Sequence, residues 1–327
     1  MENFKFITHE NTDAYFNIAS EEYLLKHTDG YYIYLWMNSP AVIVGVNQNA
    51  IEEVNLSYTE KNQIKVVRRL TGGGAVYHDE GNLCYTIIAP YDSEVDNYKA
   101  FTAPVIEYLN ELGVNAEFSG RNDITVDGKK ISGNAQTVYK NRIMHHGTLL
   151  FNTDVSVLAG ALNPSKLKIE SKGIKSVRAR VVNVYECLKN KMTISEFKNG
   201  LKEKFLNVCN EYSFSDEDLF KINQLVAEKY SRYEWNIGSS PKGKNYFEKK
   251  FPFGIIQISF DTEKGRMENV TVSGDFFSKK DVKVFADSLN GVIFAKNTLE
   301  KEFDCISDYI VGAEGKEIVS AIFDSDN

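Results

Sequence analysis

Two arginines followed by three consecutive glycines make Arg68-Arg69-Leu70-Thr71-Gly72-Gly73-Gly74-Ala75-Val76-Tyr77-His78-Asp79 the densest chemical signal in this chain. Glycine has no Cβ, so backbone N–H groups in such a run can approach a ligand closely. Successive N–H groups curled in this way form an anion-binding concavity. A neighbouring arginine adds a fixed positive charge suited to phosphate or carboxylate. The same residues also fit a plain glycine-rich turn between strands, with solvated arginines. Neither GxxxxGK[ST] nor GxGxxG occurs here, so the segment is neither a P-loop nor a dinucleotide fingerprint.

A second segment runs from Arg121-Asn122-Asp123 through Asp127-Gly128-Lys129-Lys130 to Ile131-Ser132-Gly133. Asp-Gly between β-type residues is a two-residue hairpin signal. Pairing across that turn sets Val126 opposite Lys129, Thr125 opposite Lys130, Ile124 opposite Ile131 and Asp123 opposite Ser132. Side chains alternate faces along a strand. Asp123, Thr125, Lys130 and Ser132 therefore share a polar face, and Lys129 falls on the other with Ile124, Val126 and Ile131. A carboxylate and an ammonium so placed can serve a metal-bound phosphate, the acid holding Mg and the lysine neutralising phosphate oxygens. An exposed hairpin with solvated or weakly paired charges is the alternative.

Three further features have chemical content. In His145-His146-Gly147-Thr148, strand alternation puts His146 and Thr148 on one face and His145 on the other; His146 can position a substrate or simply be a satisfied core histidine. From Ser165 to Arg180 there are six basic residues (Lys166, Lys168, Lys172, Lys175, Arg178, Arg180) and one acid, Glu170, a local balance of +5. Such a strip can close over a nucleotide, attract an acidic partner or be a solvated face. Cys84 lies on an apolar strand, where buried cysteine is usually inert, and nothing nearby in sequence marks it as a lowered-pKa thiolate.

These groups must be carried by a scaffold. Apolar spacing predicts a helix over 14–26, and β-rich runs follow at 31–37, 41–46, 65–70, 83–89 and 143–151. Helices are expected at 97–112, 193–208 and 215–230, with Thr193 and Ser215 as N-caps. The order lacks regular βαβ crossovers. It reads as an α+β fold with a mixed, mainly antiparallel sheet packed with helices. Pro and Gly punctuation over 238–254 sets a domain boundary, dividing a unit 1–246 from a small α+β unit 247–327. Strands are expected there at GIIQISFD and MENVTVSGDF, and a helix at KKDVKVFADSLNG.

Composition bounds the function. The 327 residues carry 38 Lys+Arg against 45 Asp+Glu, a net charge of −7, which argues against a general nucleic-acid binder. Hydrophobic residues at 43% and charged residues at 25% are ordinary usage. Cys84, Cys187, Cys209 and Cys305 form no CxxC pair and no signal peptide is evident, so a reducing cytoplasm is expected rather than a disulfide framework. The five histidines lack HExxH or finger spacing, so a structural zinc site is not expected. No run approaches the roughly 18 apolar residues that cross a bilayer.

Taken together, RRLTGGGAVYHDEGNLCYT (68–86), GRNDITVDGKKISGNAQ (120–136), HHGTLLFN (145–152) and KGIKSVRARV (172–181) resemble the lipoate–protein ligase A family, in its long form with a C-terminal accessory domain. The hairpin block is also similar to biotin–protein ligases, but their GRGRxG-type loop is missing. The resemblance implies two steps. ATP and lipoate give lipoyl-adenylate and pyrophosphate; the lipoyl group then passes to a lysine of an acceptor, in 2-oxoacid dehydrogenase acyltransferase subunits or glycine-cleavage protein H. It implies Arg69 and Lys130 as catalytic residues. Arg69, Gly74, Ala75, Val76, Tyr77 and Lys130 fall at the ATP, and Gly73, Lys130, His146 and Thr148 at lipoate. Asp123 takes the place of the Mg-binding carboxylate, and 165–180 that of a loop covering the adenylate. The YLWM and AVIVGV strands are candidate walls for the acyl chain. The alternatives are an ATP-independent octanoyl or lipoyl transferase of the same fold, for which Cys84 would be the nucleophile, and a non-catalytic lipoate-binding protein.

Overall fold

A computed structural model describes residues 4–95, 97–162, 180–207, 209–237 and 245–324. Fourteen strands are described: β1 (Phe4–Thr8), β2 (Tyr31–Met37), β3 (Ala41–Val44), β4 (Lys65–Arg68), β5 (Val76–His78), β6 (Asn82–Pro90), β7 (Ala116–Ser119), β8 (Asp123–Val126), β9 (Lys129–Tyr139), β10 (Arg142–Leu150), β11 (Asn210–Glu211), β12 (Asn245–Phe251), β13 (Gly254–Glu263) and β14 (Arg266–Gly274). The large sheet has the order β11-β1-β2-β6-β10-β9-β8-β7. Only β11–β1 and β1–β2 run parallel in it, so the sheet is mixed and mainly antiparallel, as expected. A small sheet, β4-β3-β5, packs beside it and ends where the glycine-rich segment begins.

The central strands are apolar on both faces, and the two-residue period sorts their side chains into two cores. On β2 and β6, Ile33, Leu35, Leu83, Tyr85 and Ile87 face one layer, and Tyr32, Tyr34, Trp36, Cys84 and Ile88 face the other. Helix α1 (Ala14–Lys26) covers the second layer. It starts where Asp13 accepts hydrogen bonds from the Tyr15 and Phe16 N–H groups, and so satisfies two of the amides a helix start leaves open. Helices at Asn97–Glu111 and Ile194–Leu206 cover the first layer. Thr193 and Ser215 cap their helices as expected, although the second helix gives way after Leu225 to a π-helical turn, Val226–Tyr230.

Residues Phe247 to Ile322 form a separate apolar core around β12-β13-β14 and the helices Val282–Ser288 and Gly315–Asp324. β12 lies inside the stretch whose Pro and Gly set the expected domain boundary. Phe247 and Phe251 are buried there, and that apolar spacing overrides the punctuation.

Candidate active site

The hairpin forms around Asp127 and Gly128, both with positive φ (50° and 74°), as a tight Asp-Gly turn requires. Val126 pairs with Lys129 and Thr125 with Lys130, as expected. Beyond that pair the register departs from the simple ladder. A β-bulge leaves Ile131 as the extra residue, so Ile124 faces Ser132 and Asp123 faces Gly133 rather than Ser132. The bulge keeps Asp123 and Lys130 together: Lys130 Nζ lies 2.8 Å from Asp123 Oδ1. The ammonium crosses over Gly133, where a Cβ would lie 2.7 Å from Nζ. The Lys130 backbone is pinned on its other edge, donating to Arg180 O (2.9 Å) and accepting from the Val182 N–H (3.0 Å). Of the basic strip, only Arg180 falls within the described residues; the rest of the expected covering segment 165–180 lies outside them.

A cavity of about 470 Å³ opens beside this hairpin. Its walls include Arg69, Gly73, Gly74, Ala75, Val76, Lys130, His146 and Thr148, so most of the expected site residues converge. Two do not line it. Tyr77 turns its side chain into the small core with Val42 and Val44, where burial pushes its hydroxyl up to about 12. Asp123 stands behind Lys130 and meets the cavity through that ion pair. Trp36 and Ile43, from the two apolar strands proposed as walls, line the cavity with Ile18.

Arg69 has a different local task from the one its position suggests. Its Nε donates to Thr71 Oγ1 (2.9 Å), Nη1 to Ile43 O (3.0 Å), and Nη2 to Gly72 O (2.6 Å) and Gly74 O (2.9 Å). The guanidinium thus gathers the carbonyls of the glycine segment inward. Burial lowers its pKa to about 10, so it stays cationic at neutral pH. Arg68 is likewise spent on carbonyls, those of Gly45, Val46, Gln48 and Trp235.

From Thr71 a polar chain runs into the sheet. Thr71 Oγ1 lies 2.8 Å from His146 Nε2, and His146 Nδ1 lies 2.9 Å from Glu21 Oε1. The Thr86 hydroxyl donates to Glu21 Oε1 (2.6 Å), and Trp36 Nε1 donates to Thr86 Oγ1 (2.9 Å). With Arg69 donating to Thr71 Oγ1, the consistent assignment has the Thr71 hydroxyl donating to His146 Nε2 and the imidazole N–H at Nδ1 donating to Glu21. Glu21 was not singled out in the sequence. The available signal was an acid three residues after Ile18 on a helix that is buried nearly all round.

On the opposite face, as alternation required, His145 bonds Gln136 Nε2 (2.9 Å) and Asn134 Oδ1 (3.2 Å). Asn134 also accepts from the Tyr85 hydroxyl (2.5 Å) and donates to Asn122 O (3.0 Å), which braces the residue preceding Asp123. Cys84 has a partner that its neighbours in sequence did not reveal: His78 Nδ1 lies 3.6 Å from Sγ. Burial raises the thiol well above its ordinary range and lowers His78 to about 3. A thiolate–imidazolium pair is therefore disfavoured on both partners.

The small C-terminal core also reaches this cavity, through Lys250, the turn Phe251–Gly254, Asp275 and Phe277. Backbone bonds join the units: Gly73 N–H donates to Phe276 O (3.3 Å) and Gly274 N–H to Asn47 O (2.7 Å). The lining carries four Lys or Arg side chains (Arg69, Arg121, Lys130, Lys250) against one carboxylate, Asp275. An anion-attracting cavity thus sits in a chain of net charge −7.

Comparison with known proteins follows the same division. The chain matches the lipoyl protein ligase A/B catalytic domain over residues 13–206 and the bacterial lipoate protein ligase C-terminus over residues 240–322. It is 45% identical over 303 residues to lipoate-protein ligase LplJ of Bacillus subtilis, covering 90% of this chain and 92% of LplJ. P. falciparum LipL1, solved in complex with lipoate, superposes with a TM-score of 0.77 at 25% identity, covering 98% of each chain. A lipoate-protein ligase A solved with ATP superposes with a TM-score of 0.63 at 28% identity, covering 73% of this chain and 99% of that one. With both models matched in order and a relative this similar over nearly its full length, the chain belongs to the lipoate–protein ligase family.

Proposed function

We propose that this chain activates lipoate with ATP to lipoyl-adenylate and passes the lipoyl group to a lysine of an acceptor lipoyl domain. The observation that carries this reading is the cavity itself, whose lining joins buried apolar side chains (Ile18, Trp36, Ile43) to four cations (Arg69, Arg121, Lys130, Lys250). An acyl chain fits the first and a nucleotide's phosphates the second. Bringing a carboxylate to an α-phosphorus forces two anions together, and Lys130 and the buried Arg69 charge offset that repulsion. Arg69 acts chiefly by shaping the glycine segment, with Gly73 to Val76 along the nucleotide and the backbone of Tyr77 holding the strand that follows. His146 and Thr148 border the acyl end. Positioning and charge stabilisation supply most of the catalysis in such steps.

Asp123 is the carboxylate that would hold Mg, although it is paired with Lys130 Nζ at 2.8 Å and stands off the cavity lining. No group of three or more His, Cys, Asp or Glu that could hold a metal occurs among the described residues, but Mg is usually held by one or two carboxylates together with substrate phosphates. Bound there, Mg would offset phosphate charge. The acceptors we propose are 2-oxoacid dehydrogenase acyltransferase subunits and glycine-cleavage protein H. We place the catalytic unit at 1–246, the accessory unit at 247–327, and the enzyme in the cytoplasm. No helix of the described residues is long and apolar enough to cross a membrane.

Incubation with ATP, Mg, lipoate and a purified lipoyl domain should add one lipoyl mass to the domain, and no gain would sink the reading. An ATP-independent transferase would need Cys84 as nucleophile, and the neutral Cys84–His78 pair disfavours it. Cys84→Ser should keep ATP-dependent activity.

A further inference from the structure

Asn134, on β9, is buried and its amide is fully bonded. Oδ1 accepts from the Tyr85 hydroxyl (2.5 Å) and lies 3.2 Å from His145 Nε2. Gln136 Nε2 can only donate, so it occupies His145 Nδ1 (2.9 Å) and leaves the imidazole proton on Nε2, aimed at Asn134. Asn134 Nδ2 donates to Asn122 O (3.0 Å) and Ser132 Oγ (3.3 Å). Both acceptor sites of the oxygen and both N–H groups thus have partners. Although Asn134 borders the cavity, its amide has nothing left to offer a ligand. Room for it comes from Gly147, where a Cβ would lie 2.1 Å from Asn134 Oδ1 and 2.6 Å from the Tyr85 ring. His145 is fixed in turn among the rings of Tyr85, Tyr98 and Phe101, with centroids at 5.8, 5.7 and 5.6 Å.

Asn134 grips the turn 120–122, which leads into Asp123. Asn122 O receives two N–H groups from Asn134, the backbone amide (2.9 Å) and Nδ2, and Asn122 Nδ2 donates back to Asn134 O (2.6 Å). This clasp closes just beyond the bulge, where the plain ladder is interrupted. Lys130 Nζ lies 2.8 Å from Asp123 Oδ1 without the geometry of a regular hydrogen bond. The carboxylate is therefore placed by the backbone that carries it, and not by donors gathered round it. We propose that Asn134 is a positioning residue for the catalytic lysine: by clasping Asn122 it sets Asp123, and through Asp123 it seats the Lys130 ammonium over Gly133. The role of Lys130 itself rests on the ligase reading above. Tyr85 and His145, on the sheet face away from His146, hold the Asn134 amide in its orientation. The layer behind the sheet is thereby coupled to the charge at the reacting phosphorus.

The test reads Lys130 directly, in the full chain without substrates. A trace of acetic anhydride acylates lysines, and mass spectrometry gives the yield at Lys130 relative to Lys129, which is exposed on the other face of the hairpin. Asn134→Ser removes the side-chain N–H donors of the clasp. It should raise the Lys130:Lys129 ratio about three- to fivefold, the ceiling for an ion pair this exposed. Asp123→Asn should raise it equally, and the double variant no further, because both act on one pair. Tyr85→Phe leaves those donors in place and should give a smaller rise; it carries the test alone if Asn134→Ser does not fold. In turnover, Asn134→Ser should lower the kcat of lipoate-dependent pyrophosphate exchange about tenfold or more, the cost of a misplacement on the ångström scale. The KM for lipoate should not move, since the apolar wall is untouched. A merely structural asparagine would lower Tm and leave the labelling ratio where it was. An unaltered ratio in both Asn134→Ser and Tyr85→Phe, or additive rises in the double variant, overturns the proposal. A ratio that responds as stated in protein lacking exchange keeps the clasp and sinks the ligase reading; wild-type exchange in Asn134→Ser with an unmoved ratio does the reverse.

Discussion

Gly133→Ala is the most discriminating single change, because its effects on folding and on catalysis should differ sharply. Gly133 has no positive φ, so its backbone accepts alanine. The new Cβ would lie 2.7 Å from Lys130 Nζ and 2.9 Å from Cε, whereas ordinary contact begins at 3.4 Å, so the ammonium must retreat by about 0.7 Å. That lengthens or breaks its 2.8 Å pairing with Asp123. Both side chains are more than a third exposed (37% and 35%), so losing the pair costs at most about 1 kcal/mol of stability. The lysine tip can relax into solvent. Catalysis has no such freedom, since a misplacement of about 1 Å can cost about a hundredfold. We expect lipoate-dependent pyrophosphate exchange to fall roughly ten- to a hundredfold while Tm moves by no more than a few degrees. Wild-type exchange in Gly133→Ala would refute the view that Lys130 acts from its seat over Gly133. A large fall in Tm matching the lost activity would refute it too.

Other consequences follow from the same geometry. Lys130→Ala should lower exchange by about a hundredfold or more, while Lys129→Ala, on the opposite hairpin face, keeps it; equal losses would break the face assignment. Glu21→Ala strands the His146 Nδ1–H and the Thr86 hydroxyl, a cost of about 2–4 kcal/mol. Calorimetry should show a Tm lower by several degrees, with a smaller drop for Glu21→Gln, and an unchanged Tm would remove Glu21 from the network. Burial, helped by the Arg69 charge, lowers His78 to about 3, and burial with His146 nearby lowers His145 to about 3. The unfolded chain takes up both protons below the ordinary histidine pKa and the folded chain does not. Stability from these groups is therefore intact above about pH 6.5 and is lost as pH falls toward 3, by about 1.4 kcal/mol per pH unit for each. Denaturation at pH 7 and pH 5 should show this, with a shallower dependence in His145→Gln; identical profiles would contradict it.

Much of the site was legible in the residues because its determinants are local. Asp127-Gly128 specifies a turn wherever it lies between β-type residues, and two-residue alternation then separates Lys130 from Lys129 and His146 from His145. Thr193 and Ser215 cap helices through bonds to amides three residues away. The bulge at Ile131 was not legible. It sets Asp123 opposite Gly133, the residue over which the Lys130 ammonium lies, and no turn residue or apolar spacing marks it. Nor was the work of Arg69, since four carbonyl and hydroxyl acceptors converge on it only when β3, the glycine segment and β4 are packed. The pairing of Glu21 with His146 spans 125 residues, and Cys84 meets His78 only when β5 and β6 come together. The cavity is the clearest case. Its apolar wall comes from α1, β2 and β3 near the start of the chain, while some of its charged lining comes from β12 and the loop after β14. Periodicity and turn chemistry act over a few residues, so they set which side chains face together within an element. Which elements then meet is decided by the burial of whole faces, and that is a property of the folded chain alone.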